Sequence, residues 1–136
     1  LAASERQLGG GAVECVGMTR TPLRARRQNE TRKVIFQGWP YFICVGYDDA
    51  GRPREVFADG SKQGSDMQAV MRDACIVISI ALQHDVEPAE LARSLGTVPA
   101  LTDGNEVEVH ASIVGAIVEC LGPRPDLAEF TEALHV

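Results

Sequence analysis

The sequence predicts an α+β domain: a three- to four-stranded antiparallel meander packed on a long central helix, with two or three shorter helices. Three observations carry this. Apolar residues alternate with a period of two between Lys33 and Asp59, then recur at steps of three and four between Asp66 and Leu82. Turn signals separate the first group of segments too closely for a crossover, so those strands run antiparallel.

Composition sets the bounds. At 136 residues and 45% hydrophobic content the chain suits one domain that builds its core without disulfides or metal. The four cysteines, Cys15, Cys44, Cys75 and Cys120, form no C-x-x-C pair and stand at no zinc-ligand spacing. Cys44 and Cys75 fall in apolar runs, where a thiol acts as a small hydrophobe. No cofactor is expected. No apolar run approaches the roughly twenty residues that cross a bilayer, and the opening LAASERQLGGG lacks an export-signal pattern, which predicts a cytoplasmic protein without membrane contact. The net charge of −6 is uneven: residues 1–33 hold seven Lys or Arg against three acidic residues, and the remainder holds six against sixteen.

The elements follow in order. Residues 1–31 read as a flexible basic arm, with Gly9–Gly11 and Pro22 opposing regular structure, and residues 32–136 as the folded domain. Val34–Phe36 is a short strand, and Gly38-Trp39-Pro40 a tight turn. Tyr41 to Tyr47 is a strand with two faces, Asp48–Gly51 a turn, and Arg54–Ala58 the next strand. Ser65 and Gln68 have capping-box spacing, so a helix begins there. Its Met67, Met71, Ala74, Ile78 and Leu82 form a stripe that Val70, Cys75, Val77 and Ala81 widen, which predicts burial on most sides. Pro88 starts a second helix that Gly96 ends. Residues 97–107 read as a polar loop, and Ser112–Leu121 as a third helix. Asp126 caps a last one, whose narrow stripe of Leu127, Phe130 and Leu134 suits packing on its own body or in a homodimer.

A pattern emerges between Glu55 and Leu95. The run EVF, a Gly- and Lys-containing loop, then GSD and ISIALQHDVEPAEL resembles the TSCPD domain, as does RARRQNET ahead of it. That domain closes adenosylcobalamin-dependent ribonucleotide reductases and also occurs alone in small proteins. The likeness spans residues 26–121. It departs at residues 108–115, where EVHASIVG stands in place of the Thr-Ser-Cys-Pro-Asp signature. The resemblance implies an association with deoxyribonucleotide metabolism and DNA synthesis, with a reductase catalytic subunit or a nucleotide as partner.

Ribonucleotide reduction needs a radical-forming cysteine, a reducing cysteine pair and a barrel that encloses them. None of the three is recognisable here, so the residues favour an accessory binding module over an enzyme, and no catalytic residue is assigned. The phosphate or nucleotide candidate is the loop bearing Lys62, Gly64, Ser65 and Asp66, where a helix N-terminus adds partial positive charge. Against it, the loop is not a Walker sequence, Asp66 repels anions, and a plain capped helix explains the same residues. The arm's Arg20, Arg24, Arg26, Arg27, Arg32 and Lys33 are candidates for contact with a partner or with nucleic acid. Nucleic-acid binding or regulation through that arm is the alternative function. His84 reads as a helix-end cap rather than a general base.

Overall fold

The computed structural model describes residue 20, residues 28–61 and residues 64–126. Arg24, Arg26, Arg27, Lys62, Cys15 and the expected stripe from Leu127 to Leu134 lie outside the described residues. Among the described residues eight elements follow one another: β1 (Asn29–Phe36), β2 (Trp39–Tyr47), β3 (Pro53–Asp59), α1 (Asp66–Gln83), α2 (Pro88–Ser94), β4 (Thr97–Thr102), β5 (Asn105–His110) and α3 (Ile113–Glu119). The strands β1, β2 and β3 form the expected antiparallel meander, with Val34 opposite Tyr41 and Val45 opposite Val56. β1 begins at Asn29, so the sheet takes in residues 29–31, which the sequence reading gave to the arm. The β1–β2 turn is made by Gln37 and Gly38, both at positive φ, and Trp39 already belongs to β2.

One face of the sheet carries Tyr41, Ile43, Val45, Tyr47 and Val56 into the core. Met71, Cys75, Ile78 and Leu82 of α1 meet them there, as do Ile113, Ile117 and Leu121 from α3 and its end. The opposite face leaves Ile35, Phe42 and Phe57 exposed. α1 lies chiefly against β3. It is buried on one side only: Met67, Val70, Ile76 and Val77 are exposed, against the expectation of burial on most sides. The reason is geometric. A helix laid along the margin of a three-stranded sheet has too little sheet to cover its whole circumference.

Residues 97–107 are not a loop. They belong largely to a hairpin, β4–β5, turned by Asp103 and Gly104 at φ 52 and 79. Asp-Gly at positive φ matches the twist of the strands it joins. The hairpin packs on α3 and is exposed over most of its length. α3 starts at Ser112, whose Oγ accepts from the Val114 N–H at 3.2 Å.

Two glycines fix the loops around α1. Gly51 has φ +79, and a Cβ there would lie 1.9 Å from the Arg124 carbonyl oxygen, so only glycine lets the chain after α3 dock on the β2–β3 turn. Gly60 has φ +144, and a Cβ would meet the Pro40 oxygen at 2.6 Å. Its own carbonyl accepts from Trp39 Nε1 at 2.8 Å, which ties the loop before α1 to the start of β2.

Candidate functional site

The contact between β3 and α1 is built from polar side chains. The outer edge of β3 would leave Arg54, Val56 and Ala58 with backbone groups that no strand satisfies. α1 supplies the partners. Ser79 Oγ accepts from the Val56 N–H at 2.9 Å and donates to the Val56 carbonyl at 3.3 Å. Gln83 Nε2 donates to the Arg54 carbonyl at 3.0 Å, and the Ala58 N–H is directed at Cys75. Residues 75, 79 and 83 recur every four positions, about 6 Å along a helix, and residues 58, 56 and 54 every two, about 6.7 Å along a strand. The two rises agree closely enough for one helix face to follow the strand edge bond by bond. The Ile78–Gln83 stretch of the family-like pattern therefore has a structural meaning: Ser79 and Gln83 act as a substitute strand.

The C-terminal end of this contact is held by charge. Arg54 is only 5% exposed, and it donates to Asp48 Oδ2 at 2.9 Å, the Leu82 carbonyl at 2.6 Å and Asp85 Oδ1 at 2.7 Å. It joins the β2–β3 turn to the end of α1 and satisfies a terminal helix carbonyl. Burial opposes the charge on Asp48, but hydrogen bonds from the Arg52 N–H, Arg54 and the Ala50 N–H outweigh it and hold the carboxyl below its ordinary value. His84 is the C-cap residue of α1, as expected.

Above the contact lies a groove of about 610 Å³. Phe57 and Asp59 form its strand side, and Gln68, Arg72, Ile76 and Ile80 its helix side. Glu55 borders it too, its carboxylate lying across Gly46, where a Cβ would come within 2.6 Å of Glu55 Oε2. Gln68 is buried and its Oε1 has no hydrogen-bond partner among the described residues. Arg72 is exposed and forms no ion pair among the described residues. Cys75 lies in the floor, where burial pushes its thiol up to about 11 and keeps it protonated and unreactive at neutral pH.

The residues singled out from sequence are distributed around this groove. Ser65 caps α1, its Oγ accepting from the Gln68 N–H at 3.2 Å, and Gly64 (φ +77) and the exposed Asp66 stand on either side of it. This end leads into the groove through Gln68. At the far end Arg20 donates through Nε to Gln83 Oε1. Arg32 sits elsewhere, paired with Glu30 at 3.5 Å, and Lys33 lies exposed on β1 opposite Phe42, so the structure does not gather Arg20, Arg32 and Lys33 into one patch. The sequence reading missed Gln68 and Arg72 as groove residues. The available signal was the set of Gln68, Cys75, Ser79 and Gln83 on one side of an otherwise apolar helix.

Residues 108–115 complete β5 and start α3. There His110 Nε2 lies 2.6 Å from Glu119 Oε1, and Gly115 leaves room for the imidazole, since a Cβ would fall 2.6 Å from Nδ1. Among the described residues no group of three His, Cys, Asp or Glu side chains is placed to hold a metal ion, and no helix is long and apolar enough to cross a membrane.

The pattern of the TSCPD domain matches residues 18–123, and the chain belongs to that family. Its relatives include proteins named vitamin B12-dependent ribonucleotide reductase. The one from Rhodopirellula baltica is 28% identical over 100 residues, which is 71% of this chain and 10% of the relative. The one from Agrobacterium fabrum is 35% identical over 71 residues, 52% of this chain and 6% of the relative. The one from Bradyrhizobium diazoefficiens is 31% identical over 61 residues, 45% and 5% respectively. The chain thus spans a tenth or less of these relatives. No solved structure gives a significant match.

Proposed function

We propose that the protein is an accessory binding module of ribonucleotide reduction, without chemistry of its own, working in the cytoplasm beside a reductase catalytic subunit, and that its β3–α1 groove takes a nucleotide. The groove carries the ligand half of the proposal. It combines the guanidinium of Arg72, the unpartnered carboxamide oxygen of Gln68 and the apolar walls of Phe57, Ile76 and Ile80. A guanidinium suits a phosphate, a carboxamide suits the donor edge of a base, and apolar walls suit its faces. Gly64, Ser65 and Asp66, just before α1, do not line the groove itself; in this proposal their loop, which in sequence also carries Lys62, contributes a second cation at the Gln68 end. The family's kinship with the reductases supports the partner half.

Titration calorimetry with nucleoside di- and triphosphates tests the ligand half. Binding is expected for wild type, with a loss of at least tenfold in Arg72→Glu; no heat with any nucleotide overturns it. Pull-down of a purified B12-dependent reductase by the full chain tests the partner half, and absence of capture overturns that.

A further inference from the structure

α1 carries a second apolar seam along which the larger side chains stand open to solvent. Met67, Val70, Ala74, Val77, Ala81 and His84 follow alternating steps of three and four, the spacing of a coiled-coil interface. They follow a line about 100° round the helix from the core row of Met71, Cys75, Ile78 and Leu82. Met67 is 53% exposed, Val70 60% and Val77 66%, and Ala74, Ala81 and His84 are half-buried. A strip this continuous along a whole helix differs from the scattered apolar residues found on most surfaces.

We infer that this seam pairs two copies of the chain through an antiparallel contact of their α1 helices. From Val70 to Ala81 large and small residues alternate, so that this part of the seam complements itself when one copy is reversed. With the twofold axis between residues 75 and 76, Val70 meets Ala81 of the second copy, Ala74 meets Val77, and Met67 meets His84. Each layer then joins a larger side chain to a smaller or flat one, which interdigitated packing requires. Charge selects the same direction. Asp66 and Asp73 flank the seam in its N-terminal half, and residues 74–84 hold no carboxylate. A parallel pair would set Asp73 against Asp73 and align the helix dipoles. An antiparallel pair places Asp73 beside an uncharged stretch and opposes the dipoles. Asp66 comes level with the second copy's Asp85, whose charge Arg54 offsets. The groove opens on the other flank of α1, between Ile76, Ile80 and β3, so two such copies keep both grooves open.

Sedimentation velocity or light scattering on the full chain tests the pairing. Wild type is expected to be a dimer, and Val70→Lys/Val77→Lys a monomer with unchanged far-UV circular dichroism. Mild oxidation of Val70→Cys/Ala81→Cys is expected to give a disulfide-linked dimer that neither wild type nor Val70→Cys alone gives. A wild type that stays monomeric at its highest soluble concentration, a lysine variant that stays dimeric, or cross-linking of Val70→Cys alone would overturn the inference; the cysteine variants decide the matter if the lysine variant fails to fold.

Discussion

The two sides of α1 reverse the usual relation between polarity and burial. The side against the protein holds Gln68, Ser79 and Gln83 among its apolar residues, whereas the side turned outward shows Met67, Val70, Ile76 and Val77. The difference follows from what each side faces. A strand edge presents unpaired N–H and C=O groups, and leaving one buried and unmade costs more than any methyl group placed there would gain. The outward side has no such demand on it, so its apolar character is unexplained by the fold and calls for something outside the described residues.

The comparison breaks first at Arg54, the charged end of the packed side. Arg54→Met keeps most of the buried stem but strands the Leu82 carbonyl and removes the donor to Asp48. Breaking a buried pair in this way is expected to lower unfolding stability by about 3 kcal/mol, read by urea denaturation. A loss below about 1 kcal/mol would mean that solvent reaches these groups freely.

Next come the two side chains that imitate a strand. Gln83→Leu and Ser79→Ala are expected to cost about 1–3 kcal/mol each, because each leaves a backbone group of β3 without its partner while adding or preserving apolar contact. If Gln83→Leu proves neutral or stabilising, α1 is held by hydrophobic burial alone and the contrast between its sides fails. The same end responds to acid. The folded-state carboxyl of Asp48 lies below the ordinary 3.8, so its contribution is complete above that value and disappears as pH falls through the lower folded value. Wild type should therefore lose stability as pH falls below about 3.8, and Asp48→Asn should show a shallower decline there, measured by denaturant midpoints.

These effects explain which parts of the molecule could be read from sequence. The meander was legible because Tyr41, Ile43, Val45 and Tyr47 alternate in an antiparallel sheet with one buried face, and the start of α1 because Ser65 and Gln68 sit at capping distance. The hairpin β4–β5 was not. Asp103-Gly104 is a hairpin signal, but Pro99 and the glutamates of β5 gave its flanks the look of a polar loop, as ribbons exposed on both faces do. The groove escaped because it depends on which strand edge α1 lies beside, a tertiary fact that periodicity does not carry. The three- and four-residue spacing placed Met67, Val70 and Val77 inside, since a hydrophobic stripe repeats alike whether it meets the core or another molecule.

The smallest effect is expected at Ile76, which borders the groove on the flank of α1 away from the apolar seam. Ile76 is 52% exposed, so replacing it by Gln forfeits only part of a side chain's burial. Helix propensity moves the other way, since a β-branched residue loses χ1 freedom against the preceding turn and glutamine does not. The two terms nearly cancel, and Ile76→Gln should change unfolding stability by no more than about 0.5 kcal/mol in urea denaturation. A cost near that of Gln83→Leu would show that the outward side is integral to the fold, and the contrast between the two sides of α1 would then have to be given up. A neutral result, joined to weaker nucleotide binding by the same variant, would locate the purpose of that isoleucine in what the groove holds.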